Sequence, residues 1–160
     1  LHRYENIFKK NKFEEIIDLL EEVAKEFSLL FVLHPATSNQ LDKFNLLERV
    51  EHNKKIKLLP RLDYLPFVKV AVNSEFVITD GGGNQEELYY MGKPTLIFRN
   101  ETERREGLGT TAVISQFDPG TIRDFQENYK KYQRKPLSAK HSPSKKILDL
   151  LFKENYGKKN

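Results

Sequence analysis

The stretch TDGGGNQEE, Thr79 to Glu87, puts three consecutive glycines between an apolar run and a helical pattern. The residues before it, EFVITD (Glu75 to Asp80), have the composition of a short buried strand, and Gln85 to Met91 predicts a helix. Three glycines in a row cost backbone entropy that a purely structural turn rarely requires. The stretch therefore predicts a strand, a tight turn and a helix, with the turn placed where a ligand can approach the main chain.

The same alternation of short apolar runs and amphipathic segments extends in both directions from this stretch. Apolar runs that predict strands also occur at Ser28 to Pro35, Lys55 to Pro60, Pro94 to Arg99 and Thr110 to Ser115. Periodic segments predict helices at Phe13 to Phe27, Leu41 to Val50, Asp63 to Val72, Pro119 to Tyr132 and Ser142 to Tyr156. We therefore predict an α/β fold, with a Rossmann-like parallel sheet and helices on both of its faces.

Bulk composition limits the classes of protein to be considered. The chain has 160 residues, enough for one domain, with 38% hydrophobic and 31% charged residues, which is typical of a globular protein. It has no cysteine, no run long enough for a membrane helix and no visible signal peptide, so we expect a cytoplasmic protein without membrane association. The net charge of +4 comes from scattered lysines, and we expect no nucleic-acid partner. No spacing of histidines and carboxylates indicates a metal site.

The three glycines are expected at the carboxyl end of a strand, the edge where parallel sheets bind ligands. Unpaired N–H groups at the start of the next helix favour a phosphate, and glycines let it approach. Gly81, Gly82 and Gly83 are therefore candidates for a phosphate cradle. The pattern is neither a dinucleotide fingerprint nor a Walker loop. A tight turn without any ligand explains the glycines equally well.

Acidic and basic residues near the glycines favour a nucleotide. A carboxylate from Glu86 or Glu87 can accept both hydroxyl donors of a ribose, although acids early in a helix are also stabilised by its dipole. The segment TERRE, which begins at Thr102, follows the next strand, so Arg104 and Arg105 can reach phosphate oxygens or pair with nearby glutamates.

Several motifs, in order, resemble the C-terminal half of bacterial UDP-N-acetylglucosamine 2-epimerases. They are LHRYEN at the start, LHP ending at Pro35, LPRLDYLPF ending at Phe67, TDGGGNQEELYYMGKP and RNETERREG. The resemblance covers about residues 1–109 and is looser afterwards. It implies that residues 1–160 form a single C-terminal nucleotide-binding domain, one half of a two-domain GT-B-type fold. The N-terminal domain, which carries the catalytic carboxylates in the family, is then absent from this chain.

The resemblance also implies an activity. The family interconverts UDP-N-acetylglucosamine and UDP-N-acetylmannosamine by eliminating UDP and adding it back with inversion at C2. We therefore expect an isomerase in the full-length protein, with a UDP-sugar substrate, no cofactor and no metal. The expected partners are the N-terminal domain of the same chain and a second copy in a homodimer. This fragment alone is expected to be inactive.

Roles for single residues follow from the matching motif positions. The resemblance implies that Gly81, Gly82 and Gly83 hold the diphosphate and that Glu87 holds the ribose. It places Phe67 at the uracil through its backbone, and Arg104 at the sugar or phosphate. His2 matches the catalytic histidine of the family. Arg3 and His34 match positions that bind a second, regulatory UDP-N-acetylglucosamine in some members. The family usually has serine at the position of Gly81.

Three other functions fit parts of the same pattern. A GT-B glycosyltransferase also places a glycine turn and an acid at its nucleotide, although the TERRE and HRYEN segments argue against it. A hydrolysing 2-epimerase would release the free sugar, and a non-catalytic UDP-sugar sensor would retain only the binding half. Transfer of the sugar to an added acceptor would identify a glycosyltransferase. Release of the free sugar would identify a hydrolysing 2-epimerase. Acidic residues preceding Leu1 would argue against the sensor.

Overall fold

The computed structural model describes residues 1–137 and 147–152. Five short strands alternate with helices along most of the chain, as the periodicity predicts. The strands are β1 (Leu29–Val32), β2 (Ile56–Leu59), β3 (Val77–Thr79), β4 (Thr95–Ile97) and β5 (Ala112–Ile114). The helices are α1 (Tyr4–Ile7), α2 (Lys10–Glu26), α3 (Pro35–Lys43), α4 (Leu47–His52), α5 (Tyr64–Asn73), α6 (Gly82–Tyr90) and α7 (Pro119–Asn128), which a 3-10 turn (Tyr129–Tyr132) follows.

Every strand pairing in the described part of the chain is parallel, which confirms the predicted α/β class. The strands form two hydrogen-bonded groups, with order β1-β2 in one and β3-β4-β5 in the other. Among the described residues, no pairing joins β1 to β3, and a cavity lies between them.

Helix α2 connects the two groups of strands through one hydrophobic core. Its apolar side chains recur every three or four residues, so one face of the helix is buried. The core that they build also includes Phe31 and Ile56 from the first group and Leu96 and Phe98 from the region of the second. Fully burying one such side chain contributes about 1.5–3 kcal/mol, so this shared core holds the two groups of strands in place.

The helix predicted over Leu41 to Val50 is wrong. The structure has two helices there, α3 and α4, and Asn45 lies between them with a φ of 58°. Asparagine tolerates this left-handed conformation, which a continuous helix cannot contain. Helix α3 begins earlier than predicted because Pro35 occupies its first turn, where a missing N–H costs nothing.

The start of α6 also differs from the prediction. Helix α6 begins at Gly82, three residues before the predicted Gln85, so Gly82 and Gly83 belong to its first turn. It ends at Tyr90, and Gly92, the residue predicted to close it, has a φ of 65° and donates its N–H to the Tyr89 carbonyl at 2.9 Å. Of the predicted helix Ser142 to Tyr156, residues 147–152 are helical and the remainder lies outside the described residues.

Candidate functional site

The first turn of α6 presents unpaired backbone donors at the carboxyl end of β3. Within residues 1–137 and 147–152, the N–H groups of Gly82, Gly83 and Asn84 donate no hydrogen bond. Gly81 is the N-cap residue, and its N–H donates to Thr79 Oγ1 at 3.1 Å. The dipole of α6 adds partial positive charge at this end, so the turn can bind an anion.

The three glycines differ in the space that surrounds them. A Cβ on Gly82 would lie 3.2 Å from Glu103 Oε1 and 3.3 Å from Arg104 Cγ, and one on Gly81 would lie 3.4 Å from His2 Cε1. Gly83 has nothing within 4 Å of its Cβ position. Close packing thus requires a small residue at Gly82, whereas Gly83 faces open space into which a ligand can fit.

The buried Asp80 organises the N-terminal segment beside this turn. Its carboxylate accepts hydrogen bonds from the backbone N–H groups of His2 (2.9 Å) and Arg3 (2.8 Å) and from the Asn6 side chain (3.0 Å). Burial alone would raise the pKa of Asp80, but the Leu1 ammonium and these donors outweigh it and hold that pKa below its ordinary value. Sequence reasoning missed this role, although a buried aspartate that ends a strand is a signal for it.

His2 and His34 lie next to each other at the same edge. Their ring centroids are 5.1 Å apart, and His2 Nδ1 is 3.4 Å from Asp80 Oδ1. His34 is the N-cap of α3, and its Nδ1 accepts the Ala36 N–H at 3.2 Å, so its other ring nitrogen carries the proton when the ring is neutral. Desolvation, followed by the charges of His2 and Arg61, lowers the pKa of His34.

Arg3 and Arg104 flank the turn, and both are held in ion pairs. The Arg3 guanidinium donates to the Asp80 carbonyl and to Glu103, at 3.1 Å in each case. Arg104 lies 3.3 Å from Glu86, so a phosphate that binds Arg104 competes with this carboxylate. A hydrogen bond to its own backbone and others from Arg99 and Arg3 lower the pKa of Glu103 to about 2, so it remains ionised here.

Gln85 fixes the loop that carries Arg104 to helix α6. Its buried amide nitrogen donates to the Arg104 carbonyl at 3.2 Å and to the Glu106 carbonyl at 2.9 Å, while its oxygen accepts from Thr102 Oγ1 at 2.9 Å. One side chain thus satisfies three polar groups. No local pattern indicates this role, because the partners are about 20 residues away along the chain.

The structure does not bring Phe67 and Glu87 into one cavity. Phe67 belongs to α5 and lines the cavity between β1 and β3, and its N–H is already bonded to the Asp63 carbonyl at 3.0 Å. Glu87 lines a second cavity of about 570 Å³ together with Tyr64 and Lys93. Among the described residues, the Glu87 carboxylate makes no hydrogen bond or ion pair, so it can accept hydrogen bonds from a ligand.

The described residues contain no group of three or more histidines and carboxylates arranged to hold a metal ion. Each helix in this part of the chain is too short or too polar to cross a bilayer. The candidate site itself presents backbone N–H donors together with histidine, arginine and carboxylate side chains.

A parallel α/β sheet with an open, glycine-rich helix start at its carboxyl edge defines a Rossmann-like domain with an anion-binding turn. The sequence model of the family described as UDP-N-acetylglucosamine 2-epimerase matches residues 1–147. The chain therefore belongs to the UDP-N-acetylglucosamine 2-epimerase family, as the motifs indicate.

Individual relatives agree with this assignment. The UDP-N-acetylglucosamine 2-epimerase of Methanocaldococcus jannaschii is 36% identical over 71% of this chain and 32% of its own length. That of Methanococcus maripaludis is 31% identical over 96% of this chain and 43% of its own length. A crystal structure of the M. jannaschii enzyme in complex with UDP-GlcNAc and UDP superposes with a TM-score of 0.82 at 27% identity, covering 94% of this chain and 43% of that one. The chain thus spans less than half the length of these relatives.

Proposed function

We propose that this chain is the UDP-sugar-binding domain of an enzyme that interconverts UDP-N-acetylglucosamine and UDP-N-acetylmannosamine. The observation that carries the proposal is the open first turn of α6, with free N–H groups on Gly82 and Gly83 between His2 and Arg104. The family assignment and the ligands named for the M. jannaschii structure support a UDP-sugar as the anion.

The diphosphate lies against the first turn of α6 in this proposal. The Gly82 and Gly83 N–H groups donate to phosphate oxygens, and the helix dipole stabilises their charge. Arg104 reaches the same oxygens after leaving Glu86. Elimination breaks the bond between C1 of the sugar and the phosphate oxygen, so negative charge grows on the leaving UDP. Donors that are already in place stabilise that charge as it develops.

His2 lies next to the diphosphate in this arrangement. Its backbone is fixed by Asp80, and its ring is close to Gly81, so a protonated ring can stabilise or protonate the leaving phosphate. The free carboxylate of Glu87 accepts the ribose hydroxyls, and the Phe67 backbone is proposed to contact uracil. Arg3 and His34 are proposed for a regulatory nucleotide-sugar. The carboxylates that remove and return the C2 proton are assigned to an N-terminal domain.

The experiment is proton NMR of UDP-N-acetylglucosamine in D₂O with the full-length protein, and with the 160-residue chain as the control. Deuterium at C2 together with the manno epimer is the expected result for the full-length protein, and no turnover is expected for the chain alone. Release of free N-acetylmannosamine would instead assign a hydrolysing enzyme. Absence of both exchange and turnover would contradict this substrate.

A further inference from the structure

Lys93 is a buried lysine that has no role in the proposed reaction. It lies between the end of α6 and the start of β4, and 7% of its surface is exposed. Its ammonium donates to the Val72 carbonyl at 2.8 Å and to the Ser74 carbonyl at 2.7 Å. Both acceptors belong to the end of α5, where the last carbonyls of a helix have no partner within the helix. Lys93 therefore caps α5 from a different element.

The contact between Lys93 and the end of α5 is electrostatic as well as a pair of hydrogen bonds. Burial lowers the pKa of Lys93, and the opposing charge of Glu75 has a smaller effect. The carbonyl dipoles at the C-terminus of a helix favour a positive charge, which offsets part of the lost hydration. Without this ammonium, two carbonyls lose a donor and the helix end loses its cation.

The main chain of Lys93 is attached to the elements that carry the glycine turn. Its N–H donates to the Leu88 carbonyl of α6 at 2.9 Å, and its carbonyl accepts the Thr95 hydroxyl of β4 at 3.0 Å. Leu88 and Thr95 are themselves buried. One residue thus connects α5 to a base that α6 and β4 form together.

Apolar packing contributes little to the position of α5. In α5, all of whose residues the structure describes, only Ala71 is buried. Tyr64 and Val72 are 60% and 50% exposed. Helix α2, in contrast, buries seven residues. Because burial of an apolar face is what usually fixes a helix against its neighbours, the position of α5 depends strongly on the polar contact at its C-terminus.

Helix α5 forms the wall opposite Glu87. Tyr64 and Val72 from α5 line the cavity of about 570 Å³ that also contains Glu87, and Lys93 lines the same cavity. Gly83 and Glu87 are four residues apart on α6, so they lie on the same face of that helix. A molecule with its phosphates on the first turn of α6 and its sugar hydroxyls on Glu87 therefore has α5 beside its nucleoside part.

We propose that Lys93 is a positioning residue that fixes α5 against α6 and so sets the width of the cavity that takes the nucleoside part of the ligand. The inference rests on the proposed function, because it takes the anion at the α6 turn to be a nucleoside diphosphate. The diphosphate part binds the N–H groups of α6 and does not depend on α5. Loss of the Lys93 ammonium therefore lowers affinity for a nucleoside diphosphate and preserves affinity for inorganic pyrophosphate.

Calorimetric titration with UDP and with inorganic pyrophosphate tests the effect on affinity. Lys93→Met keeps the length of the side chain without its donor, and Lys69→Met, at an exposed position of α5, is the control. We expect Lys93→Met to weaken UDP binding at least tenfold and to change pyrophosphate binding less than twofold. Lys69→Met should alter neither. Equal losses for both ligands, or no loss for UDP, would overturn the proposal.

Spin-label distances test the position of α5 without any ligand. The chain has no cysteine, so Lys69→Cys on α5 and Arg123→Cys on α7 form a unique labelled pair. We expect Lys93→Met to broaden the distance distribution of this pair and to leave that of Glu22→Cys on α2 with Arg123→Cys unchanged. Broadening of both pairs would show general loss of structure and overturn the positioning role.

The two experiments separate this proposal from the proposed function. An unbroadened distribution for the α5 pair would overturn the role of Lys93 and leave the proposed function standing. Failure of the unsubstituted chain to bind UDP would overturn the proposed function and the nucleoside role with it, whereas the label distances would still report on α5.

Discussion

The backbone N–H of His2 donates to the buried carboxylate of Asp80 at 2.9 Å, across 78 positions of sequence. This bond connects the start of the chain to the end of β3, next to the glycine turn. It places the His2 ring near Gly81, so the geometry of the candidate site depends on this buried aspartate.

Replacing Asp80 is expected to destabilise the fold. Asp80→Asn removes the charge and leaves the N–H groups of His2 and Arg3 with a weaker acceptor. Loss of a buried charge that accepts several hydrogen bonds costs about 3 kcal/mol. Urea unfolding measures the change, with the exposed Asp42→Asn as the control. A loss below about 1 kcal/mol would show that Asp80 is not the organising residue.

The same aspartate predicts a pH dependence. The pKa of Asp80 is lower in the folded chain than its unfolded value of about 3.9, so its stabilisation is fully present above that value. The free energy of unfolding is then expected to fall as the pH drops through the folded pKa. The variant Asp80→Asn should lack this part of the acid dependence. If the free energy of unfolding depended on pH in the same way for the original chain and for Asp80→Asn between pH 5 and about pH 2, the assignment would be contradicted.

Glycine at position 92 is required by backbone geometry. Gly92 has a φ of 65°, and a Cβ there would overlap the Arg134 carbonyl oxygen. Gly92→Ala is expected to cost at least about 1–2 kcal/mol, the penalty of the left-handed conformation. Gly83→Ala is the matched control, because its Cβ position is open and helix propensity favours alanine by up to about 1 kcal/mol. The midpoint temperature of thermal unfolding should therefore fall for Gly92→Ala and rise for Gly83→Ala. A shift in the same direction for both variants would refute the argument.

The amide of Gln85 is expected to stabilise the loop that carries Arg104. Gln85→Leu leaves the carbonyls of Arg104 and Glu106 and the Thr102 hydroxyl without this partner, at a cost of about 2 kcal/mol. Gln126→Leu is the control, since Gln126 is buried and its side chain makes no hydrogen bond within the described residues. Equal stability changes in the two variants would show that the amide network contributes nothing.

The ion pair between Glu86 and Arg104 predicts an unusual effect on affinity. If Arg104 must leave Glu86 to contact a phosphate, Glu86→Gln is expected to strengthen UDP binding. An exposed pair contributes up to about 1 kcal/mol, so the gain is at most about fivefold. Arg104→Ala should weaken binding, and Glu51→Gln, far along the chain on α4, should have no effect. Calorimetric titration with UDP measures all three, and weaker binding by Glu86→Gln would contradict the competition.

Local patterns in the sequence predicted most of the fold, since apolar runs and helical spacing depend on neighbouring residues. The break between α3 and α4 was missed because the apolar spacing continues through it. The left-handed backbone of Asn45 ends α3 there, and this conformation is not visible in the spacing. The gap between β1 and β3 could not be predicted either, because strand pairing is set by distant segments.

The candidate site was predictable only in part, for the same reason. The glycines and Arg104 lie within motifs, and the structure brings them together with His2 at one edge. The roles of Asp80 and Gln85 depend on partners 17 to 78 residues away and have no local signature. Phe67 and Glu87 line different cavities, so their shared role with a nucleotide stays a prediction.

The most direct test of the central claim is an NMR titration of the ¹⁵N-labelled chain with UDP, with uridine as the control ligand. The account predicts that UDP shifts the amide signals of Gly82, Gly83 and Asn84 and that uridine shifts them far less, because the diphosphate binds the first turn of α6. Shifts that avoid this turn, or equal shifts with both ligands, would contradict the assignment of the diphosphate to these glycines.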